Sequence, residues 1–595
     1  MNFLKRICCI FLLVFCGVMT AFVSRAESNK EYTNVVLILI DDISHYGVTA
    51  YGADRINSYR KRFKDVKFST PNIDQLAHEG VLVENAFAYQ LCENTRVAIM
   101  SGKENRRNYL QPKSLHHSDI TFGDTFQKAG YKTGLFGKWK QSRGTQHIHG
   151  KDYIFEFGWD EFTAFDVVGA KNRFINPDLV VNGKITNYND RKDVDPITGR
   201  RWYGPDIVNR DALNFIEKNK NKPFFLYYPM MLIHDKHQPT PDTLPRSVFD
   251  NFQENKKTKV PMEVSGDDHK FLPDMIAYMD KMIGNVVKKL DETGLRENTL
   301  IVVVGDNGTK ETFEHVFADG SRYPGRKGGH ADNGLHVPLI LNQPKTIPAG
   351  LGKKQNHYQG LVDIVDIYPT IAEAANVTIP NQQDIDGISF WQQAIGGAGV
   401  ARETIYHWGN ANNKYTDNEV LVKYAFNQNF KRYAPSKHFP KGRFFDLRTD
   451  LLESAGDSYK EFKFKVLRYS GLPIESLNAE QKAAYDMLGE VLKQNQIVEI
   501  QDITIMSAPN KLKVGQMSQL HAKLTPANTT RNGLIWHSSD PSVLSINKFG
   551  ELSAHKKGTA QIKVYAWADA RPLADKKSAE FLTTGISDTR TFTVF

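Results

Sequence analysis

Asn34-Val35-Val36-Leu37-Ile38-Leu39-Ile40-Asp41-Asp42 is an apolar run that ends abruptly on two carboxylates. Strict apolar/polar alternation would mark a strand wet on one face, whereas a continuous run marks a strand buried on both. Two more runs of this kind follow. Thr299 to Val304 ends on Gly305-Asp306-Asn307-Gly308, and Phe224 to Tyr228 is followed closely by His234. Between them lie helical stretches over 206–219 and 273–293, the second stopped by Gly294. Buried strands alternating with helices predict an α/β fold, a mixed, largely parallel sheet sandwiched by helices. In such sheets the working residues collect beyond the carboxyl ends of the strands. All three runs carry their polar residues there.

Outside this core the texture changes twice. A smaller α+β subdomain is expected over 356–497, with a helix over 361–374 and a strand over 443–447. Its last helix, over 478–494, puts Ala484, Leu488, Val491 and Leu492 on one face. Over 498–595 the pattern becomes short strands separated by turn signals: 511–514 before Gly515, 519–524 before Pro526, then 534–537 and 543–546. That spacing predicts an all-β sandwich. The main α/β domain is therefore assigned to 27–355.

A chain of 595 residues with 41% hydrophobic, 11% aromatic and 24% charged residues is that of a globular protein with more than one core. The first 26 residues read as a removable export leader: Lys5 and Arg6, an apolar stretch from Ile7 to Val18, then Ser24-Arg25-Ala26 as cleavage site. Export to the periplasm or medium of a bacterium is the expectation. Phe15 before Cys16 argues against lipid anchoring there, and no later stretch is long and apolar enough to span a bilayer. The net charge of +9 falls to +6 without the leader, and residues 501–595 hold +5 of it. Attraction to a polyanion would thus be carried by the tail, which is expected to bind glycan, to tether the protein to a surface or to serve only as a spacer. No nucleic-acid-binding motif is present.

Without the leader, which holds Cys8, Cys9 and Cys16, one cysteine is left: Cys92, in Leu91-Cys92-Glu93-Asn94-Thr95-Arg96-Val97-Ala98-Ile99-Met100-Ser101-Gly102. A lone cysteine makes no internal disulfide, so Cys92 is either a buried small thiol or present for chemistry. This motif, with Asp41-Asp42, Gly137-Lys138-Trp139, Asp306-Asn307-Gly308, Lys327-Gly328-Gly329, His336-Val337-Pro338, Asp363 to Thr370 and Asp386-Gly387-Ile388-Ser389, resembles the type I sulfatases of the alkaline phosphatase superfamily. The likeness covers about 34–495 in the family's order. Separately, Val514-Gly515-Gln516, Trp536 to Pro541 and Gly558-Thr559-Ala560 resemble a bacterial immunoglobulin-like group 2 module.

The resemblance implies hydrolysis of sulfate esters through a formylglycine made from Cys92 by a maturation enzyme. One hydroxyl of its hydrate attacks sulfur; the other then loses its proton so that sulfate is expelled. Asp41, Asp42, Asp306 and Asn307, with residue 92, would hold one Ca²⁺, since oxygen donors suit a hard divalent cation. Arg96 would position the formylglycine, and Lys138, His234 and Lys327 would bind sulfate and stabilise the leaving group. His237 is a weaker rival to His234. The expected substrate is a sulfated polysaccharide or glycosaminoglycan fragment, read by the 141–201 segment through Trp159, His147, His149 and several arginines, or else packed there as ordinary loop. Trp536 is expected in the sandwich core rather than against sugar.

Two positions depart from the family pattern. Asn94 stands where the maturation enzyme usually meets Pro or Ala. Lys140 stands where a His usually follows Gly-Lys-Trp; as a base it would need a strongly depressed pKa, and otherwise His234 or another group takes that role. Two alternatives stay open at this point: a phosphate or phosphonate ester hydrolase on the same scaffold, and a non-catalytic binder of sulfated glycans with unconverted Cys92.

Overall fold

The computed structural model describes residues 32–595 apart from 59–64, 109–114, 116–118, 142–151, 168–172, 189–193, 236, 252–267, 348–355, 381–383, 411–420, 462–465, 507–508, 531, 567–569, 572–581 and 584–585. The proposed leader, His147 and His149 lie outside the described residues.

A ten-stranded mixed sheet organises the chain. Its centre is five mutually parallel neighbours: Thr299–Gly305, Asn34–Ile40, Phe224–Pro229, Lys132–Lys138 and Glu161–Phe165. Every residue of Asn34–Ile40 is buried. Val35, Leu37 and Leu39 enter one hydrophobic core, and Val36, Ile38 and Ile40 enter the other. Period-two alternation thus feeds both faces, which is why the sequence shows no polar interruption. The first core is closed by the helices Cys92–Ser101, Phe122–Lys128 and Ile367–Ala374. The second is closed by Pro71–His78, Gly204–Asn219 and Leu272–Glu292. Each aliphatic side chain fully buried in this way contributes about 1.5–3 kcal/mol.

The five central strands run the same way, so Ile40, Pro229, Lys138, Phe165 and Gly305 all end on one edge of the sheet. Val81–Phe87 also ends there, and the Cys92–Ser101 helix begins five residues later. One difference from expectation occurs at the far edge. Residues 361–363 are not helical; they finish the strand Asn356–Asp363, which pairs with Val81–Phe87, and the α-helix starts at Ile367. Asp363 ends the strand by forming a capping box with Asp366.

Beyond the main sheet, four antiparallel strands (Ile405–Asn410, Leu421–Phe426, Phe430–Tyr433, Arg443–Asp446) carry the helix Ala479–Gln494. Ala484 and Leu488 of that helix pack on Ala425, Phe430 and Phe444, with Val491 and Leu492 beside them. The remaining residues form the β sandwich around Leu512, Leu544, Leu552, Ile562, Val564 and Phe592. The strand expected over 519–524 is two strands, Met517–Gln519 and Ala522–Thr525, in different sheets, because buried Leu520 turns the chain into the core between them. The sandwich docks on the α/β domain through Lys548, whose ammonium meets Asp124 Oδ1 at 2.7 Å and the Glu156 carbonyl at 2.7 Å. Arg107 donates to the Thr530 carbonyl and to Asn532 Oδ1, and Asn532 donates to Asp384.

Candidate active site

The strand ends converge on a charged, buried cluster. Asp41 and Asp306 are fully buried and Asp42 nearly so. Oxygens of these three carboxylates lie within 4.8 Å of one another, and Asp41, Cys92 and His234 form a second group of that size. Asp42 sits at φ 63°, a left-handed backbone that turns its carboxylate back across the strand end. Its N–H donates to Asp306 Oδ1 at 3.0 Å, and Asn307 Nδ2 donates to its Oδ1 at 2.9 Å.

Cationic groups surround the acids. Lys138 Nζ is 2.5 Å from Asp41 Oδ2 and 3.7 Å from Cys92 Sγ. Lys327 Nζ donates to Asp42 Oδ2 at 2.6 Å. Arg96 donates to Asp306 Oδ2 at 2.8 Å and to the Lys138 carbonyl at 3.0 Å, and lies 3.8 Å from Asp41 Oδ1. Lys138 reaches this position because Gly137 lets its strand pass the neighbouring one: a Cβ there would sit 1.9 Å from the Pro229 carbonyl oxygen. The Cys92–Ser101 helix brings Cys92 to the cluster with all ten residues buried and is closed by Gly102 at φ 65°, whose N–H bonds the Ala98 carbonyl.

The charges shift one another. Burial pushes the Asp41 carboxyl up, but Lys138, with Arg96 and Lys327, outweighs it and holds the group well below the usual range. Asp306 goes the other way: burial and the Asp41 charge push it up to about 7. Burial raises the Cys92 thiol despite Lys138 and Lys327, so an unmodified Cys92 is a neutral thiol at neutral pH and a poor nucleophile. Burial would lower the Lys140 ammonium; the charge of Asp166, whose Oδ2 is 3.1 Å away, opposes it and favours the charged form. This ion pair works against the depressed pKa that a basic Lys140 requires. Burial and Lys138 keep His234 neutral, its pKa below the ordinary value.

Asp41 Oδ1 and Asn307 Oδ1 are buried oxygens with no hydrogen-bond partner among the described residues. Unsatisfied oxygens on an all-oxygen donor set, beside an acid forced up by its neighbour's charge, fit a hard metal ion. The residues named for the metal and the sulfate thus meet at one edge, and the rival His237 does not join them. His237 lies outside both groups, its ring 5.1 Å from Phe313, where burial lowers it to about 3. Of the two readings of Trp159, packing is the one found: it is 1% exposed and stacks on Tyr227 in the core.

Sequence reasoning missed the partners of the cationic groups. His234 Nδ1 lies 2.9 Å from Asp235 Oδ1, and Lys310 holds the other carboxylate oxygen at 3.0 Å. Asp235 adjoins His234 in the chain, a usable signal; nothing local pointed to Asp166 or Lys310.

Residues 33–377 match the family described as Sulfatase, more than half of the chain. The chain belongs to the sulfatase family. As a sulfatase it is a sulfuric ester hydrolase. Residues 499–569 match the bacterial Ig-like domain (group 2). The chain is 23% identical over 485 residues to arylsulfatase D of Homo sapiens, covering 67% of this chain and 74% of that protein. It is 24% identical over 451 residues to N-acetylglucosamine-6-O-sulfatase of Bacteroides thetaiotaomicron, covering 62% and 72%. A solved structure described as a complex with the substrate D-glucosamine-2-N,6-O-disulfate shares the fold at TM-score 0.56 and 19% identity, covering 78% of this chain and 98% of that one.

Proposed function

We propose that this sulfatase is exported and removes sulfate from a carbohydrate, using a formylglycine at position 92 and a Ca²⁺ ion held by Asp41, Asp42, Asp306 and Asn307. The observation that carries the reading is the position of Cys92: its Sγ is 3.7 Å from Lys138 and grouped with Asp41 and His234, while the thiol is held neutral. A thiol in that place is of use only once converted. Relatives named for sugar substrates support the carbohydrate class, and Lys5, Arg6 and the apolar Ile7 to Val18 support export.

Formylglycine, as its hydrate, would supply the attacking hydroxyl. The cation would supply Lewis-acid charge for a sulfate oxygen. Lys138 and Lys327, fixed on Asp41 and Asp42, aim ammonium groups at the space in front of residue 92 and would bind the sulfate oxygens. Lys140, kept charged beside Asp166, adds a third positive group and takes no proton. His234 is neutral, with Nδ1 turned to Asp235 and Nε2 3.8 Å from Asp42, so Nε2 is the atom able to hold or release a proton there.

The test is mass spectrometry of the Cys92 peptide from protein made in a bacterium that matures its own sulfatases, with hydrazide capture of the aldehyde. Aldehyde at 92, together with release of sulfate but not phosphate from paired sugar esters, is the expected result. A cysteine that stays a thiol despite Asn94 being offered to a competent host would overturn it.

A further inference from the structure

A cavity of about 240 Å³ lies where the Ig-like module docks on the α/β domain. Ser101, Lys103, Asp119 and Asp384 line it from one side; His521 and Trp536 line it from the other. It sits at the far end of the Cys92–Ser101 helix, whose nine residue steps separate it from Cys92 by about 14 Å. It is therefore no part of the sulfate-binding cluster.

The lining carries two lysines, Lys103 and Lys548, against two aspartates, Asp119 and Asp384. That balance gives an anion no net attraction. Lys548 is already committed to Asp124. The Lys103 ammonium has no hydrogen-bond or ion-pair partner among the described residues, although burial and the Arg107 charge both act to lower its pKa. Trp536 packs half-buried against the sandwich core and also reaches the cavity, and its indole N–H makes no hydrogen bond among the described residues. Unspent donors, carboxylate acceptors and an aromatic face with no net charge match a ring bearing several hydroxyls. The volume is below the range of about 300–1,000 Å³ that holds drug-sized ligands, so it has room for one ring, not a chain.

We propose that the domain junction is a second carbohydrate site, which takes one neutral sugar ring of a polymeric glycan away from the reacting sulfate. The site rests on the carbohydrate reading above and gives the Ig-like module a role in holding the polymer. It is built from both domains, so it exists only while Lys548 and Arg107 keep them docked.

Calorimetric titration of the full-length Cys92→Ala protein separates this proposal from turnover. The probes are neutral hexasaccharides from desulfated galactan, from a β-glucan and from chitin. At least one binds, Lys103→Met weakens it tenfold or more, and His521→Trp, which fills the cavity from its exposed rim, abolishes it. In protein retaining Cys92, Lys103→Met raises KM for a sulfated polymer at least fivefold and leaves small aryl sulfate hydrolysis unchanged. No binding by any neutral probe, or binding untouched by both variants, overturns the proposal; loss of aryl sulfate hydrolysis without either substitution would instead overturn the sulfatase chemistry at Cys92.

Discussion

Arg96→Met isolates what holds the carboxylate cluster together. The guanidinium is fully buried and spends its hydrogen bonds on Asp306 and on the Lys138 carbonyl. Removing one partner of a buried ion pair costs about 3–5 kcal/mol, because the other charge is left uncompensated. Here the lower end applies. Asp306 is already pushed up to about 7 by burial and Asp41, so loss of the guanidinium lets it take a proton at neutral pH and shed its charge. An unfolding entropy of about 2 cal/mol/K per residue over roughly 460 residues converts about 3 kcal/mol into a fall of about 3 °C. Scanning calorimetry of the catalytic transition, in chelator and in excess calcium, reads it. The variant should fall by about 3 °C in chelator and recover in calcium, because a bound cation disfavours the proton on Asp306. A fall below 1 °C, or one that calcium does not alter, would show that Arg96 does not set the charge of Asp306.

Other outcomes follow from the same geometry. Asp42→Asn removes a carboxylate from the three-acid group and should lower bound calcium, measured by elemental analysis of dialysed protein, at least tenfold. Lys140→Met should lower kcat about 10²-fold with KM moving less, the loss expected for one donor to developing charge; an unchanged kcat would make Lys140 a structural partner of Asp166 alone. His315 is buried and burial lowers its pKa to about 4. The unfolded chain therefore binds that proton first, near pH 6.5, so stability is full above that pH and falls toward pH 4, by about 3 kcal/mol for this side chain. Urea unfolding of the protein and of His315→Gln at pH 7 and 4.5 checks it: the variant should lose less on acidification.

The parts of the fold legible in the sequence are those that two-sided burial dictates. Val35 to Ile40 and Leu300 to Val304 have no solvent face, so no polar residue interrupts them, and the acids that follow mark the strand ends. Residues paired only through tertiary contact left no such mark. Lys140 and Asp166 come together because Lys138 and Phe165 end adjacent parallel strands, a register that no local pattern encodes. Trp159 was open in the sequence because an indole suits a sugar face and a core equally well, and the stacking on Tyr227 made the choice. At 361–363 helix-compatible residues were taken into an edge strand by pairing with Asn85 to Phe87.

Asp42 and Asp306 touch across 264 residues of chain. They meet only when Thr299–Gly305 settles beside Asn34–Ile40, the two strands at the heart of the sheet. A chain that has emerged only through its first three hundred residues holds two of the three acids and no cage for an ion. On the proposed calcium site, acquisition of the ion would be a late event in the protein's own assembly, and its half-time would clock the closing of the central sheet.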